Sequence, residues 1–137
     1  MHDQVIIKVE GSKGKKDIFS ISTTEEGGSI EHFYVCGRKR KQISTTHISK
    51  EEFSSIVDTF DALDYTKIYS EIPFPTLKDG WTLYCTATRA FTTITIEVRC
   101  PSKNEYYPET SKLLDACEHI FNLSNYKFII SCNCPIA

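Results

Sequence analysis

Several groups of residues in this chain are of types that carry chemistry. His32 and Cys36 lie four apart in a segment with strand period. Such a pair serves nucleophilic catalysis when imidazole and thiol meet within hydrogen-bond reach. Positions four apart on a strand are about 13 Å from each other, so these two share a face without touching. Cys132-Asn133-Cys134 is a C-x-C thiol pair, half of a zinc or redox centre, with no second pair near it in sequence. Arg38-Lys39-Arg40-Lys41 is a basic run close to Phe33 and Tyr34. Nucleic-acid binding needs a wider basic surface with stacking aromatics, so the run reads as a solvated turn and no direct nucleic-acid contact is expected. Asp58, Asp61 and Asp64 recur every three residues and are followed by Tyr65, Tyr69 and Glu71. Carboxylates can hold a cation, but this spacing matches no familiar cation loop. His119 reads as a surface or half-buried histidine on a helix. The chain has no G-x-S-x-G, phosphate loop, dinucleotide fingerprint or H-E-x-x-H. No catalytic residue, cofactor or metal is expected, and the chain is not expected to be an enzyme.

The acidic group stands out by its placement. Carboxylates near the C-terminal end of a helix oppose the helix dipole, at a few tenths of a kcal/mol each, so helix stability does not account for them. Residues 51–75 hold one Lys/Arg against six Asp/Glu, a net of −5. Residues 1–50 hold nine against six, a net of +3, and the remainder balances at six each. A negative patch with tyrosine anchors suits a basic protein partner, because charge steers encounter and buried Tyr holds the complex. Asp58, Asp61, Asp64, Tyr65, Tyr69 and Glu71 are therefore the candidate partner-binding residues.

The elements that must position these residues follow from hydrophobic period. Val5, Ile7 and Val9 alternate, as do Phe19 and Ile21, with a turn at Gly11–Lys15. The expected pairing sets Val9 opposite Phe19 and Ile7 opposite Ile21. Ile30 to Cys36 reads as a third strand, with Phe33 and Val35 on one face, and Gln42 to Thr46 as a short fourth. A helix follows, with Ser49 as cap, Glu52 reaching back to it, and Phe53, Ile56, Val57, Phe60 and Leu63 as its buried stripe. Residues 64–80, with Pro73 and Pro75, read as an irregular connection long enough to be functional. Trp81, Leu83, Cys85 and Ala87 then alternate with Thr82, Tyr84, Thr86 and Thr88, and Ile94, Ile96 and Val98 alternate beyond a two-residue turn expected at 89–90. That register sets Cys85 opposite Ile94 and excludes a Cys85–Cys100 disulfide. Pro108 opens a second helix with Leu113, Leu114, Cys117, Ile120 and Phe121 inward. Tyr126 to Cys132 reads as a last strand or a packed tail. The fold class is α+β: a single antiparallel β-sheet of about five to six strands with two helices packed on one face.

The 137 residues suffice for one domain with its own core, and 40% hydrophobic with 25% charged residues excludes disordered and collagen-like chains. No stretch approaches the ~18 apolar residues needed to cross a bilayer, and Met1–Val5 shows no secretion leader, so a cytoplasmic protein away from membranes is expected. Its six cysteines would then be reduced thiols.

Taken whole, the strands before Ser49-Lys50-Glu51-Glu52-Phe53, the Asp79-Gly80-Trp81 hairpin and the closing helix resemble the immunity proteins of bacterial polymorphic and contact-dependent growth inhibition toxins. The resemblance is architectural and carries over no functional residue. It implies tight binding of a cognate toxin domain, often a nuclease, with its active site blocked. The alternative is a small-molecule-binding or enzymatic domain with a cleft between the 64–80 segment and the sheet, lined by Tyr69, Trp81, Tyr106 and Tyr107. A monomer or weak dimer is expected, the threonine-rich hairpin face being one surface for self-association.

Overall fold

Alternating apolar residues build strands β1 (Gln4–Glu10), β2 (Lys15–Thr24), β3 (Gly27–Cys36), β4 (Lys39–Ile48), β5 (Thr82–Arg89) and β6 (Thr92–Arg99). Three helices, α1 (Lys50–Asp61), α2 (Tyr65–Glu71) and α3 (Pro108–Leu123), complete the elements in the computed structural model. The structure describes residues 3–11, 14–71, 81–99 and 106–126, the side chains of 69–71 excepted. All strand pairs are antiparallel and form one sheet in the order β4-β3-β2-β1-β5-β6. The first four strands make a meander. β5 returns to the free edge of β1 and carries β6 outward. The architecture is α+β.

One face of the sheet is apolar. Val5, Ile7, Val9, Phe19, Ile21, Ile30, Leu83, Cys85, Ile96 and Val98 are buried there. Phe53, Ile56, Val57 and Phe60 of α1 and Leu113, Leu114, Cys117, Ile120 and Phe121 of α3 join them in one core. Ser49 caps α1 by accepting the Glu52 N–H at 3.0 Å. The Glu52 carboxylate does not turn back to the cap as expected; it meets His119 Nε2 on α3 and ties the two helices together.

The sheet departs from the expected pairing in a regular way. Val5 lies opposite Ile21 and Ile7 opposite Phe19, two residues from the anticipated register. In the last hairpin Leu83 faces Val98, Cys85 faces Ile96 and Ala87 faces Ile94, with Ala90-Phe91 as the turn in place of 89–90. A slip of two returns every side chain to its own face, so hydrophobic pattern cannot distinguish these registers. The turn decides. Ala90 takes φ 55°, and its N–H is held by Asp3 Oδ1 at 3.0 Å. β4 is also longer than anticipated and takes in Lys39, Arg40 and Lys41, leaving Gly37-Arg38 as the turn. Residues 65–71 of the anticipated irregular connection form α2. Of the stretch from Tyr126 to Cys132, only Tyr126 lies within the described residues.

The passage from β4 into α1 crosses β3 at Gly27-Gly28. A Cβ on Gly27 would lie 2.6 Å from the Ile48 carbonyl oxygen, and one on Gly28 2.8 Å from Cδ1 of Phe53. Glycine is needed at both because backbone and a buried ring occupy the space. Gly28→Ala is expected to cost about 1–3 kcal/mol, measured by urea unfolding, with part of the loss recovered when Phe53→Leu is added. Ala90→Gly is expected to raise stability by about 1 kcal/mol, because it relieves a left-handed residue that carries a Cβ.

Candidate functional site

Asp58 and Asp61 stand one turn apart at the C-terminal end of α1, and both carboxylates are more than half exposed. Their position is explained by a residue distant in sequence. Arg89, the last residue of β5, donates from Nη1 to Asp58 Oδ1 at 2.9 Å and to Asp61 Oδ2 at 3.1 Å. The two-residue turn after it is what brings the guanidinium to this point. A cation here offsets the repulsion between the carboxylates and the helix-end carbonyls. All three groups are well exposed, so solvent screens the pair strongly.

Asp64 has a different task. Its Oδ1 accepts the Lys67 N–H at 3.1 Å and caps α2, while its own N–H is donated to Glu109 Oε2 at 3.2 Å. Tyr65 folds back onto α1 and donates its hydroxyl to the Phe60 carbonyl at 2.7 Å. Burial, with the neighbouring Cys85, Cys117 and Asp61, pushes its phenol well above the ordinary value. Tyr69 and Glu71 lie in α2, and their side chains are outside the described residues. The structure therefore joins Asp58 and Asp61 through Arg89, and sets Asp64 and Tyr65 into the junction between α1 and α2.

Between α1 and the sheet is a cleft of about 180 Å³, with Val57, Asp61, Tyr65, Ala87, Arg89 and Ile94 in its wall. Beside it the hairpin carries two exposed apolar side chains, Phe91 at 89% and Ile94 at 38% accessibility. Sequence reading missed Arg89, Phe91 and Ile94 as parts of this surface. The register of β5 and β6 would have pointed to them, and that register is what the hydrophobic pattern leaves open.

The remaining chemical candidates are placed as follows. His32 is buried, stacked on Phe19 with ring centroids 4.3 Å apart, and bonded through Nε2 to Asp17 Oδ1 at 2.8 Å. Tyr126 donates its hydroxyl to the other oxygen of Asp17 at 3.0 Å, and burial beside that carboxylate raises its pKa. Asp17 was not singled out from the sequence, although its inward parity beside Phe19 could have marked it. Cys36 is a half-buried free thiol. Cys85 and Cys117 are free thiols in the core, and burial pushes Cys85 up to about 12. Such thiols carry little thiolate at neutral pH. Cys100, Cys132 and Cys134 lie outside the described residues. Among the described residues no cluster of three His, Cys, Asp or Glu has the arrangement of a metal site. The basic run lies along exposed β4, with the Arg40 guanidinium 4.2 Å from the centre of the Phe33 ring. Trp81 is buried in the core, Tyr106 projects into solvent and Tyr107 is half-buried. No helix among the described residues is long and apolar enough to cross a membrane.

Glu109 carries a pH dependence. Lys112 Nζ at 2.8 Å and the Asp64 N–H hold its carboxyl below the usual carboxylate range. A lowered pKa contributes stability above the unfolded value and loses it as pH falls through the folded one. Glu109→Gln is therefore expected to unfold at lower urea than the parent near neutrality, with the gap in midpoints closing as pH falls below the ordinary carboxylate range. A gap independent of pH would contradict the assignment. Against this geometry, no protein-family model matches the chain and no curated protein matches it significantly.

Proposed function

We propose that this protein neutralises a cognate toxin domain, in the manner of an immunity protein, by occupying the toxin's active site from the cytoplasmic side. It acts by covering a macromolecular surface, transforms no substrate and uses no cofactor. The observation that carries this reading is the pair of solvent-facing carboxylates at the end of α1, set beside a small apolar cleft and the exposed Phe91 and Ile94. A toxin that cleaves nucleic acid needs a basic active site to bind phosphates. Carboxylates around an aromatic anchor complement such a site, the charges steering encounter and the ring filling a pocket.

Arg89 gives this reading a signed test. It places one positive charge between two negative ones, so it reduces the field a basic partner meets. The measurement is stopped-flow association with the toxin domain encoded beside this gene, at several salt concentrations. Asp58→Lys with Asp61→Lys is expected to slow association by about 10-fold or more at low salt. Arg89→Gln is expected to speed it by roughly 2–3-fold under the same conditions. Both effects should fade as salt rises. Rates and salt slopes unchanged in both variants remove this surface from the interface.

A further inference from the structure

The two edges of the sheet are built differently. β4 carries Lys39, Arg40 and Lys41 on its exposed edge, and its pairing with β3 shifts register at His32/Phe33. Charge and irregularity of this kind discourage another strand from adding there. β6 has no such irregularity and, in place of a basic run, carries one charge of each sign, Glu97 and Arg99. Its eight residues Thr92–Arg99 pair with β5 without interruption and contain no lysine and no proline. Its other side meets no strand among the described residues. Arg89 and Thr92 bracket a two-residue turn, so the main-chain groups of Thr92, Ile94, Ile96 and Val98 face β5. Those of Thr93, Thr95, Glu97 and Arg99 face outward, giving four residues of β6 with unused pairing capacity. The same edge carries the most exposed large apolar side chain of the described residues, Phe91, and the partly exposed Ile94.

We propose that β6 pairs antiparallel with β6 of a second copy of this chain, about a two-fold axis at Thr95. The choice of occupant rests on self-complementarity. Centred on Thr95, the register sets Thr93 opposite Glu97 of the second copy, Ile94 opposite Ile96, Thr92 opposite Val98, and Arg99 beside Phe91. Inward side chains meet inward ones and outward meet outward, so the two sheets continue as one with their helices on the same face. Ile94 gains an isoleucine neighbour, and Arg99 comes over an aromatic ring. The two Glu97 carboxylates stay about 13 Å apart along the strands. Centring on Glu97 sets them face to face. Centring on Ile96 brings them onto the diagonal and leaves Phe91 uncovered. Of these three registers, the one centred on Thr95 satisfies both charge and apolar area. The contact is isologous and closes at two chains. The contact covers Phe91 and Ile94, which the toxin-binding reading also uses, so dimer and toxin compete for them; the test of the dimer itself needs no toxin.

The test is sedimentation equilibrium of the isolated protein, with circular dichroism of each variant. The parent is expected to dimerise reversibly. Thr95→Pro removes an N–H that points away from β5, a substitution an edge strand accepts, and is expected to weaken self-association at least 10-fold with a native spectrum. Ile94→Lys at a partly exposed position is a second variant with the same expected outcome, independent of any folding defect in the first. For the register, Thr95→Cys is expected to cross-link on mild oxidation above the level of the identically treated parent, since opposed Cα atoms at about 5.5 Å suit a disulfide. Thr93→Cys, opposite Glu97, is expected not to. A parent that sediments as a monomer at its highest soluble concentration overturns the proposal. So does a dimer undiminished by both Thr95→Pro and Ile94→Lys, or cross-linking through position 93 in place of 95.

Discussion

Helices cover one face of this sheet, so every strand must send alternate side chains to that face. This parity constraint underlies the rest of the structure. It places Val5, Ile7 and Val9 against Phe19, Ile21 and Ile30, and Leu83 and Cys85 against Ile96 and Val98, beneath α1 and α3. It also draws two polar residues inward. Asp17 shares parity with Phe19, and His32 lies opposite Phe19, so carboxylate and imidazole meet on the covered side. A buried polar group without a partner is costly. Here Asp17 serves both His32 and the Tyr126 hydroxyl, and the Phe19 ring stacks on the imidazole. The outward face is occupied by residues that tolerate water. Thr86 and Thr88 exchange hydroxyl contacts with Thr95 and Thr93, and Lys8 lies over the Tyr84 ring.

The end of α1 is where helix, sheet and surface charge meet. Two carboxylates in its last turn are unfavourable for the isolated helix. Arg89 changes that balance from across the fold, and it reaches them because β5 ends where the Ala90-Phe91 turn begins. That turn is fastened through the Ala90 N–H to Asp3, the residue just before β1. The chain after α1 is fixed by Asp64 capping α2 and by the Tyr65 hydroxyl on the Phe60 carbonyl. The same few residues thus close the helix, anchor the hairpin and form the wall of the cleft beside exposed Phe91 and Ile94.

Much of this was legible in the residues, and the gaps have definite physical origins. Period-2 and period-3.6 patterns located the described strands, α1, α3 and most of their inward stripes, because burial acts on each side chain separately; in β3 they singled out Phe33 and Val35, whereas Ile30 and His32 are buried. They missed register in both hairpins, because a shift of two conserves burial and only turn geometry selects among the alternatives. They missed α2, whose seven residues are too few to display an amphipathic period. At the candidate site, Asp58, Asp61, Asp64 and Tyr65 were found as a local run. Arg89, the residue that gives the two aspartates their setting, lies on a strand whose neighbours are fixed only by tertiary structure. His32 was read with Cys36, four positions along the same strand, whereas its true partner, Asp17, sits on the next strand.

The position of β1 imposes an order of events. It lies between β2, its neighbour in sequence, and β5, which follows some 75 residues later. During vectorial synthesis the meander of the first four strands and α1 can assemble while one side of β1 still waits. Closing so long a span is entropically slow compared with hairpin formation. Until residues 82–88 emerge from the ribosome, the most apolar strand of the sheet keeps a row of main-chain donors and acceptors bare, and that interval is when a nascent chain is most exposed to chaperones and to its neighbours on the same message.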